Sequence, residues 1–179
     1  MKVGDVMTRP ARSCQAGQSA TDVMRELWDH DIGALPVVDE AGAPIAMITD
    51  RDVAVAAFTQ GQPLHEIRVH SAMSKAVFTT HVGDPLAEAE QLMRNHQVRR
   101  LPVVDESSRL VGVLSWSDVV LAQGSARSGE ARPTAVLQTL AAIATSQGSL
   151  ASEPVESPQP QEAAKKESGP ARSGRARKK

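Results

Sequence analysis

Hydrophobic positions between residues 19 and 28 recur with helical spacing. They form an i, i+1, i+4, i+5 stripe made of Val23, Met24, Leu27 and Trp28. Such a stripe predicts an amphipathic helix that buries one face. Ser19 lies at its start with Asp22 three residues later, which is a capping-box pattern. The sequence therefore predicts a helix that begins after Ser19.

Two short apolar runs follow this helix. Leu35–Val38 and Ile45–Ile48 are rich in valine and isoleucine and flank the turn residues 41–43. Runs of this kind predict a hairpin of two buried strands. Thr49 ends the second run, and a helix is predicted to begin there with Asp52 in its first turn. An extended stretch is predicted near Arg12–Cys14, ahead of the first helix.

The same pattern returns 66 residues later. Residues 32–53 align with residues 98–119 without a gap, and eight of the 22 positions are identical. The second copy predicts a helix with Asp84 as N-cap and Pro85 as its first residue. Its extended stretch and strands are predicted at Ala76–Thr79, Leu101–Val104 and Val111–Leu114. Each copy therefore reads strand–helix–strand–strand–helix, an α/β pattern. Since neither sheet could bury enough surface alone, we expect the two copies to share a core.

The composition changes after Gly124. Residues 125–147 are predicted to be a linker and an amphipathic helix over Pro133–Gln147, which either packs on its own body or docks elsewhere. Residues 148–179 are predicted to be a disordered tail. Residues 1–124 carry 16 acidic and 11 basic side chains, whereas residues 125–179 carry 5 and 9. The basic end, Lys165–Lys179, either contacts nucleic acid electrostatically or is simply solvated.

Several classes of function lack support in the residues. Cys14 is the only cysteine, which excludes an intramolecular disulfide and a cysteine-rich zinc site. No apolar run approaches the ~18 residues that span a bilayer, so we expect no membrane contact and a cytoplasmic setting. His65, His70 and His81 are interpreted as solvated loop histidines rather than zinc ligands. Without a nucleophile–base spacing or a glycine-rich phosphate loop, we do not expect an enzyme.

A hydroxyl three residues before a carboxylate occurs at the same place in both copies. The pairs are Thr49 with Asp52 and Ser115 with Asp118. Helix capping accounts for either pair taken alone. Alternatively, each carboxylate accepts hydrogen bonds from the two hydroxyls of a ribose, at about 1.5–3 kcal/mol each. Because the pair is duplicated inside matched segments, we favour ribose binding.

A nucleoside site also needs partners for the base and the phosphate. Proline lacks an N–H and keeps its predecessor extended, which leaves nearby main-chain groups for a base edge. The candidates for this base pocket are Ala34, Leu35, Pro36, Leu101 and Pro102. Arg99 and Arg100 carry guanidinium forks that suit phosphate oxygens; a solvated surface pair is the alternative. Gly33 and Ala34 hold the matching places in the first copy and offer room without charge.

These segments carry a family resemblance. LPVVD followed by IAMITDRDV, and LPVVD followed by VGVLSWSDV, resemble the two halves of a tandem CBS-domain pair, also called a Bateman module. HDIGALPVVD and HQVRRLPVVD are similar to small stand-alone bacterial two-CBS proteins of the hypoxic response protein type. The resemblance covers residues 2–124. It implies CBS domains at residues 2–61 and 68–124, packed with pseudo-twofold symmetry around a cleft, and a disc-shaped homodimer.

The resemblance also implies a ligand class. Clefts of this family bind adenosyl ligands such as AMP, ADP, ATP, NAD or S-adenosylmethionine, and no cofactor is obligatory. The two hydroxyl–carboxylate pairs match the ribose-contacting positions, and Arg99 and Arg100 match positions that face phosphate. Gly112 matches a glycine of the strand before the hydroxyl and is a further base-pocket candidate, whereas Ala46 departs from this pattern. Trp116 either walls or fills its site.

The resulting hypothesis is a regulatory adenine-nucleotide-binding module for energy or stress sensing. It would signal to an unknown protein partner by a ligand-dependent change of conformation or dimer form. One alternative is a ligand-free structural dimer that works by protein–protein contact. Another is a nucleic-acid-associated protein that acts through the basic tail.

Overall fold

The computed structural model describes residues 1–125, with side chains through Ala122. Helices α1 to α5 span Ala20–Asp29, Asp50–Gln60, Val69–Ala72, Leu86–His96 and Trp116–Ser125. Strands β1 to β6 span Cys14–Gln15, Ala34–Val38, Pro44–Thr49, Thr80–His81, Arg100–Val104 and Leu110–Ser115. The helix predicted at 133–147 and the tail predicted at 148–179 lie outside the described residues.

The two copies fold into two three-stranded sheets with the same topology. Their strand orders are β1-β2-β3 and β4-β5-β6. In each sheet the short first strand is parallel to its neighbour, and the hairpin is antiparallel. The hairpin registers are equivalent, since Ala34 pairs with Thr49 and Arg100 pairs with Ser115. The predicted α/β class and repeated topology are therefore confirmed.

The short parallel strands begin later than the sequence predicts. The prediction of Arg12–Cys14 was one to two residues early, and Ala76–Thr79 was too early as a whole, since β4 is Thr80–His81. Strand β1 pairs through Cys14 with Val37, and β4 pairs through Thr80 with Val103. A two-residue strand lacks the alternation on which a prediction depends, so its position is decided by these partners.

The N-cap residues predicted for α1 and α4 have different outcomes: Ser19 is confirmed, and Asp84 is wrong. The Ser19 hydroxyl accepts a hydrogen bond from Asp22 N–H, and Asp22 Oδ2 accepts from Ser19 N–H, as a capping box requires. The N-cap of α4, however, is Pro85 rather than Asp84. Asp84 Oδ2 instead accepts from Thr80 Oγ1 at 2.9 Å and from His81 N–H at 2.7 Å. Its carboxylate therefore stabilises the end of β4 and is not used to cap the helix.

The apolar face of α1 is narrower than predicted. Val23 and Leu27 are buried and Met24 is half-buried, but Trp28 is 85% exposed. Trp28 follows Val23 by five residues, which turns it about 140° around the helix, beyond a stripe of about 100°. Trp28 therefore does not belong to the core.

The segments that precede β1 and β4 are exchanged between the copies. Val3 and Met7 are buried in the hydrophobic core of the second copy, whereas Ile67 and Val69 are buried in the core of the first. Thr8 forms a two-way backbone pair with Val113 of β6. GDVMT (residues 4–8), which the sequence places at the start of the first copy, therefore packs on the sheet of the second. Each core is complete only with a segment from outside its own sheet unit.

Cys14 lies in the hydrophobic core of the first copy, away from water. Its thiol is 4% exposed, and burial raises its pKa from 9.0 to about 11. The thiolate is disfavoured because its charge cannot be solvated there. The thiol is therefore protonated at neutral pH.

Gly4 of the exchanged segment has no room for a side chain. A Cβ at Gly4 would lie 2.8 Å from Val82 Cγ2 and 2.9 Å from the Val82 carbonyl oxygen. We predict that Gly4→Ala lowers the free energy of unfolding by about 1–3 kcal/mol, because backbone must shift to relieve the overlap. Urea unfolding measures this loss.

Gly17→Ala and Gly83→Ala are matched controls, since a Cβ at either position meets nothing within 4 Å. We expect them to be neutral or slightly stabilising. Equal stability of Gly4→Ala and the two controls would contradict the described packing of the N-terminal segment.

Candidate functional site

Both predicted hydroxyl–carboxylate pairs form capping boxes. Asp52 Oδ2 accepts hydrogen bonds from Thr49 N–H at 2.9 Å and from Thr49 Oγ1 at 2.7 Å. Asp118 Oδ2 accepts in the same way from Ser115 N–H at 2.8 Å and from Ser115 Oγ at 2.6 Å. In each box the hydroxyl accepts from the carboxylate residue's own N–H. Oδ1 of each aspartate takes no part in the box.

The capping interpretation therefore holds at both positions. The same box occurs at Ser19 and Asp22, where the Ser19 hydroxyl and then its N–H lower the pKa of Asp22. Since three helices use this motif, its duplication is not by itself a sign of a ligand. What distinguishes the boxes is the space beside them.

The first cavity lies beside the second box, and we call it the Ser115 cavity. It has a volume of about 300 Å³. Its wall is drawn from three parts of the fold: the exchanged N-terminal segment at Thr8 and Arg12, the loop at 31–34, and the second sheet, through Arg100 of β5 and through β6 with the start of α5. Ser115 and Asp118 both line it. Its charged residues are Arg12, Asp31, Arg100 and Asp118.

The second cavity lies beside the first box, and we call it the Thr49 cavity. It has a volume of about 470 Å³. Its wall is formed by Thr49–Arg51, by residues 97–100 and by Gly33, Ala34 and Met47. Asp52 is not part of this wall, although its partner Thr49 is. Gly33, Ala34 and Arg100 line both cavities.

The structure therefore brings together part of the predicted nucleoside site. Ala34, Arg100, Ser115 and Asp118 meet in the Ser115 cavity, and Ala34, Thr49, Arg99 and Arg100 meet in the Thr49 cavity. Leu35 and Leu101 are fully buried in the cores. Pro36 and Pro102 are buried in the central strands and line neither cavity. Of the base-pocket candidates, only Ala34 lies on a cavity wall.

Gly112 has a packing role in place of the predicted ligand contact. A Cβ there would lie 2.5 Å from Met7 Sδ and 3.1 Å from the Thr8 carbonyl oxygen. The glycine therefore makes room for the exchanged segment, and it lines neither cavity. Trp116 packs against the second core, and its backbone N–H donates to the Arg99 carbonyl. Trp116 lines neither cavity.

Seven polar cavity residues were missed by the sequence analysis: Thr8, Arg12, Asp31, Asp50, Arg51, Gln97 and Ser117. Asp31 and Gln97 carried a signal, because each follows a helix and they are separated by the repeat offset of 66. Both adopt the left-handed conformation, with φ of 50° and 54°. Ile32 N–H donates to Leu27 O, and Val98 N–H donates to Met93 O, as in a Schellman ending. Glycine usually holds this position, so a side chain there costs stability.

Among residues 1–125, no group of three or more His, Cys, Asp or Glu could hold a metal ion. Within the same residues, no helix is long and apolar enough to cross a membrane.

The class of protein follows from this fold together with the family comparison. Residues 3–58 and 66–125 match the model of the CBS domain family. The chain therefore belongs to the CBS-domain proteins and contains a tandem pair of CBS domains.

Curated relatives support this membership. The chain is 34% identical over 126 residues to CBS domain-containing protein YhcV of Bacillus subtilis, covering 70% of this chain and 88% of that protein. It is 30% identical over 120 residues to the uncharacterized protein MK0525 of Methanopyrus kandleri, covering 67% of this chain and 61% of that protein. It is also similar to homoserine O-acetyltransferase of Methanococcoides burtonii, but the chain spans only 23% of that protein's length.

Solved structures show the same fold. The chain is 26% identical to Hypoxic Response Protein I with two coordinated zinc ions, covering 68% of this chain and 98% of that one, with a TM-score of 0.61. It is 27% identical to the CBS domain pair of MJ0100 in complex with 5′-methylthioadenosine and S-adenosyl-L-methionine, covering 69% and 96%, with a TM-score of 0.62. It is 28% identical to CBSX2 in complex with AMP, covering 68% and 94%, with a TM-score of 0.58. These proteins confirm the predicted CBS-pair fold.

The left-handed residues on the cavity walls lead to a stability prediction. We expect Asp31→Gly and Gln97→Gly each to raise the free energy of unfolding by about 0.5–1 kcal/mol, because glycine relieves the left-handed backbone more than it costs in unfolded-chain entropy. Urea unfolding tests this. Gln91→Gly, at an exposed position inside α4, is the control and should lose about 1 kcal/mol. If all three variants lose stability, the left-handed backbone at Asp31 and Gln97 is not strained.

Proposed function

We propose that this protein is a regulatory CBS pair that binds an adenosyl ligand, such as AMP, ADP or ATP, in the Ser115 cavity. One observation supports this choice: Ser115 and Asp118 both line that cavity, whereas Asp52 does not line the other. The volume of about 300 Å³ is within the range of small-molecule sites. The complexes of MJ0100 and CBSX2 with adenosyl compounds support the ligand class.

In this proposal, each part of the cavity wall has its own role. The box holds the Asp118 carboxylate through Oδ2, so that Oδ1 remains to accept from a ribose hydroxyl. Arg100 and Arg12 would contact phosphate, because guanidinium groups bind phosphate oxygens in pairs. Ala34 would lie against the base. Thr49 and Arg99 face the other cavity and do not belong to this site.

Ligand binding would act on the arrangement of three segments. The wall combines the exchanged N-terminal segment, the 31–34 loop and β6 with α5, so a ligand favours the arrangement in which all three contact it. The signal would pass to a separate protein partner, and the protein would not itself be an enzyme. A ligand-free structural dimer is the competing outcome of the test below.

Asp118→Asn tests the ribose contact. We predict that it weakens AMP binding by about 10- to 100-fold, because a charge-assisted hydrogen bond of about 1.5–3 kcal/mol is lost. Isothermal titration calorimetry measures the affinity, and urea unfolding measures the separate cost to the helix cap.

Asp22→Asn is the matched control, since Asp22 forms the same capping box beside neither cavity. It should lose a similar amount of stability and no AMP affinity. Equal loss of affinity in both variants would refute a ribose role for Asp118. If AMP, ADP and ATP all give no heat of binding, the ligand-free structural dimer becomes the favoured function.

We further propose that two copies associate through the C-terminal helices of the repeats. Val55 on α2 and Leu121 on α5 occupy equivalent positions and are 51% and 68% exposed. Phe58 on α2 is 71% exposed, and Trp28 on α1 is more so. Val55 and Phe58 lie three residues apart on one face of α2, and large apolar side chains exposed together are typical of protein–protein contacts. A second copy fits this face because both repeats present apolar residues at matching positions.

Phe58→Glu tests this association. We predict a shift from dimer to monomer in analytical ultracentrifugation, since a charge would be buried without a partner. Ser107→Glu adds the same charge at an exposed turn and should leave the dimer intact. A monomeric unmodified protein at micromolar concentration would overturn the proposal.

A further inference from the structure

In both copies, the segment that leads into the first strand of the sheet meets the end of the following helix, but the chemistry differs. In the second copy, the rings of Phe78 and His96 stack, with centroids 3.7 Å apart and an interplanar angle of 16°. The equivalent residues of the first copy, at the repeat offset of 66, are Arg12 and His30. The aromatic stack is therefore replaced there by a guanidinium and an imidazole.

A carboxylate joins these two groups in the first copy. Glu26 Oε2 lies 3.7 Å from Arg12 Nη1 and 3.5 Å from His30 Nε2. Leu92 holds the equivalent place in the second copy and carries no charge. Because both contacts of Glu26 use the same oxygen, Arg12 and His30 compete for it.

Of these two contacts, the one in the first copy reaches a cavity. Arg12 lines the Ser115 cavity, as does Asp31, which follows His30 directly. Glu26 and His30 do not line it, and Phe78 lines neither cavity. The Arg12 guanidinium therefore has a carboxylate partner outside the cavity, with which a ligand phosphate inside the cavity must compete.

The net charge of this cluster depends on His30. When His30 is neutral, the charges of Arg12 and Glu26 cancel, and when it is protonated, the cluster carries one net positive charge. Histidine is the side chain that changes charge between about pH 5 and 8. The other titratable groups beside His30 in the chain are the carboxylates of Asp29 and Asp31, and carboxylic acids as a class titrate below this range.

We propose that Glu26 is a positioning residue that holds Arg12 away from the ligand phosphate, and that protonation of His30 releases Arg12. The nucleotide affinity of the Ser115 cavity then rises as the pH falls, because protonated His30 takes over the Glu26 carboxylate and Arg12 pairs with phosphate instead. By linkage, a bound nucleotide favours the protonated form of His30 to the same extent. This inference rests on the proposed function, since it concerns the regulation of that same site.

Calorimetric titration of the full chain with AMP tests this regulation at about pH 5.5 and about pH 8, on either side of the middle of the histidine range. The quantity to compare is the ratio of AMP affinities, unmodified protein over His30→Gln, because protonation of the AMP phosphate itself, with a pKa of about 6, cancels in it. We expect a ratio near one at the higher pH and of about two- to fivefold at the lower pH, which is the range of exposed ion pairs.

Two further variants locate the effect. Glu26→Gln should bind AMP about two- to fivefold more tightly than the unmodified protein at the higher pH, because Arg12 is no longer held by a carboxylate. His65→Gln is the matched control, since His65 lies 3.6 Å from Glu66 in a pair of the same kind beside neither cavity. It should bind AMP as the unmodified protein does at both pH values. Weaker AMP binding by Glu26→Gln, or the same pH response in His30→Gln as in His65→Gln, would overturn the inference.

Adenosine separates this inference from the proposed function. Adenosine has no phosphate to reach Arg12, so its affinity ratio should stay near one at both pH values. An adenosine ratio as large as that of AMP would mean that His30 acts on the cavity without Arg12, and the inference would be wrong. If neither AMP nor adenosine binds at either pH, the proposed function itself fails. If AMP binds with a ratio near one at both pH values, only the role of Glu26 and His30 fails.

Discussion

The exchange of the two N-terminal segments is the interaction on which the rest of this structure depends. Val3 and Met7 are buried with the second sheet, and Ile67 and Val69 with the first. A three-stranded sheet with two helices leaves apolar surface open, and the exchanged segment closes it. Gly112 permits the close approach, since any side chain there would overlap Met7. The two repeats are thereby joined by packing as well as by the chain between them.

This exchange also builds the Ser115 cavity. The residues that follow Met7 continue along β6 through the Thr8–Val113 pair and then line the cavity with Arg12. The wall facing Ser115 is thus made from a segment that begins the chain, a loop of the first repeat and a strand of the second. A ligand bound there, as proposed, would contact all three and would favour one arrangement of them. The segment that completes the second core thus also forms part of this cavity wall.

The repeats are alike where they fold and different where they line cavities. The hairpin registers and the capping boxes are equivalent in both. The differences at the cavities include Gly33 and Ala34, which correspond to Arg99 and Arg100, and Arg51, which corresponds to Ser117. Because Arg51 and Arg99 line only the Thr49 cavity, that cavity has the larger positive charge. A symmetric scaffold therefore presents two chemically distinct cavities.

The sequence by itself determined the α/β class, the four longer strands and the longer helices, because period-2 and period-3.6 apolar patterns and capping residues act over a few neighbouring positions. It also predicted Ser115, Asp118 and Arg100 as site residues, and the structure places all three on the wall of one cavity. Only the tertiary structure decided which side chains face a cavity. The strands around Leu35 and Leu101 are buried on both faces, so the local pattern could not separate core from site. Likewise, the side chain that packs against Gly112 comes from a distant part of the chain. The same is true of the second-copy residues that share the Ser115 cavity with Asp31 and Arg12. Such contacts are set by how the segments cross in space, and no local pattern encodes that crossing.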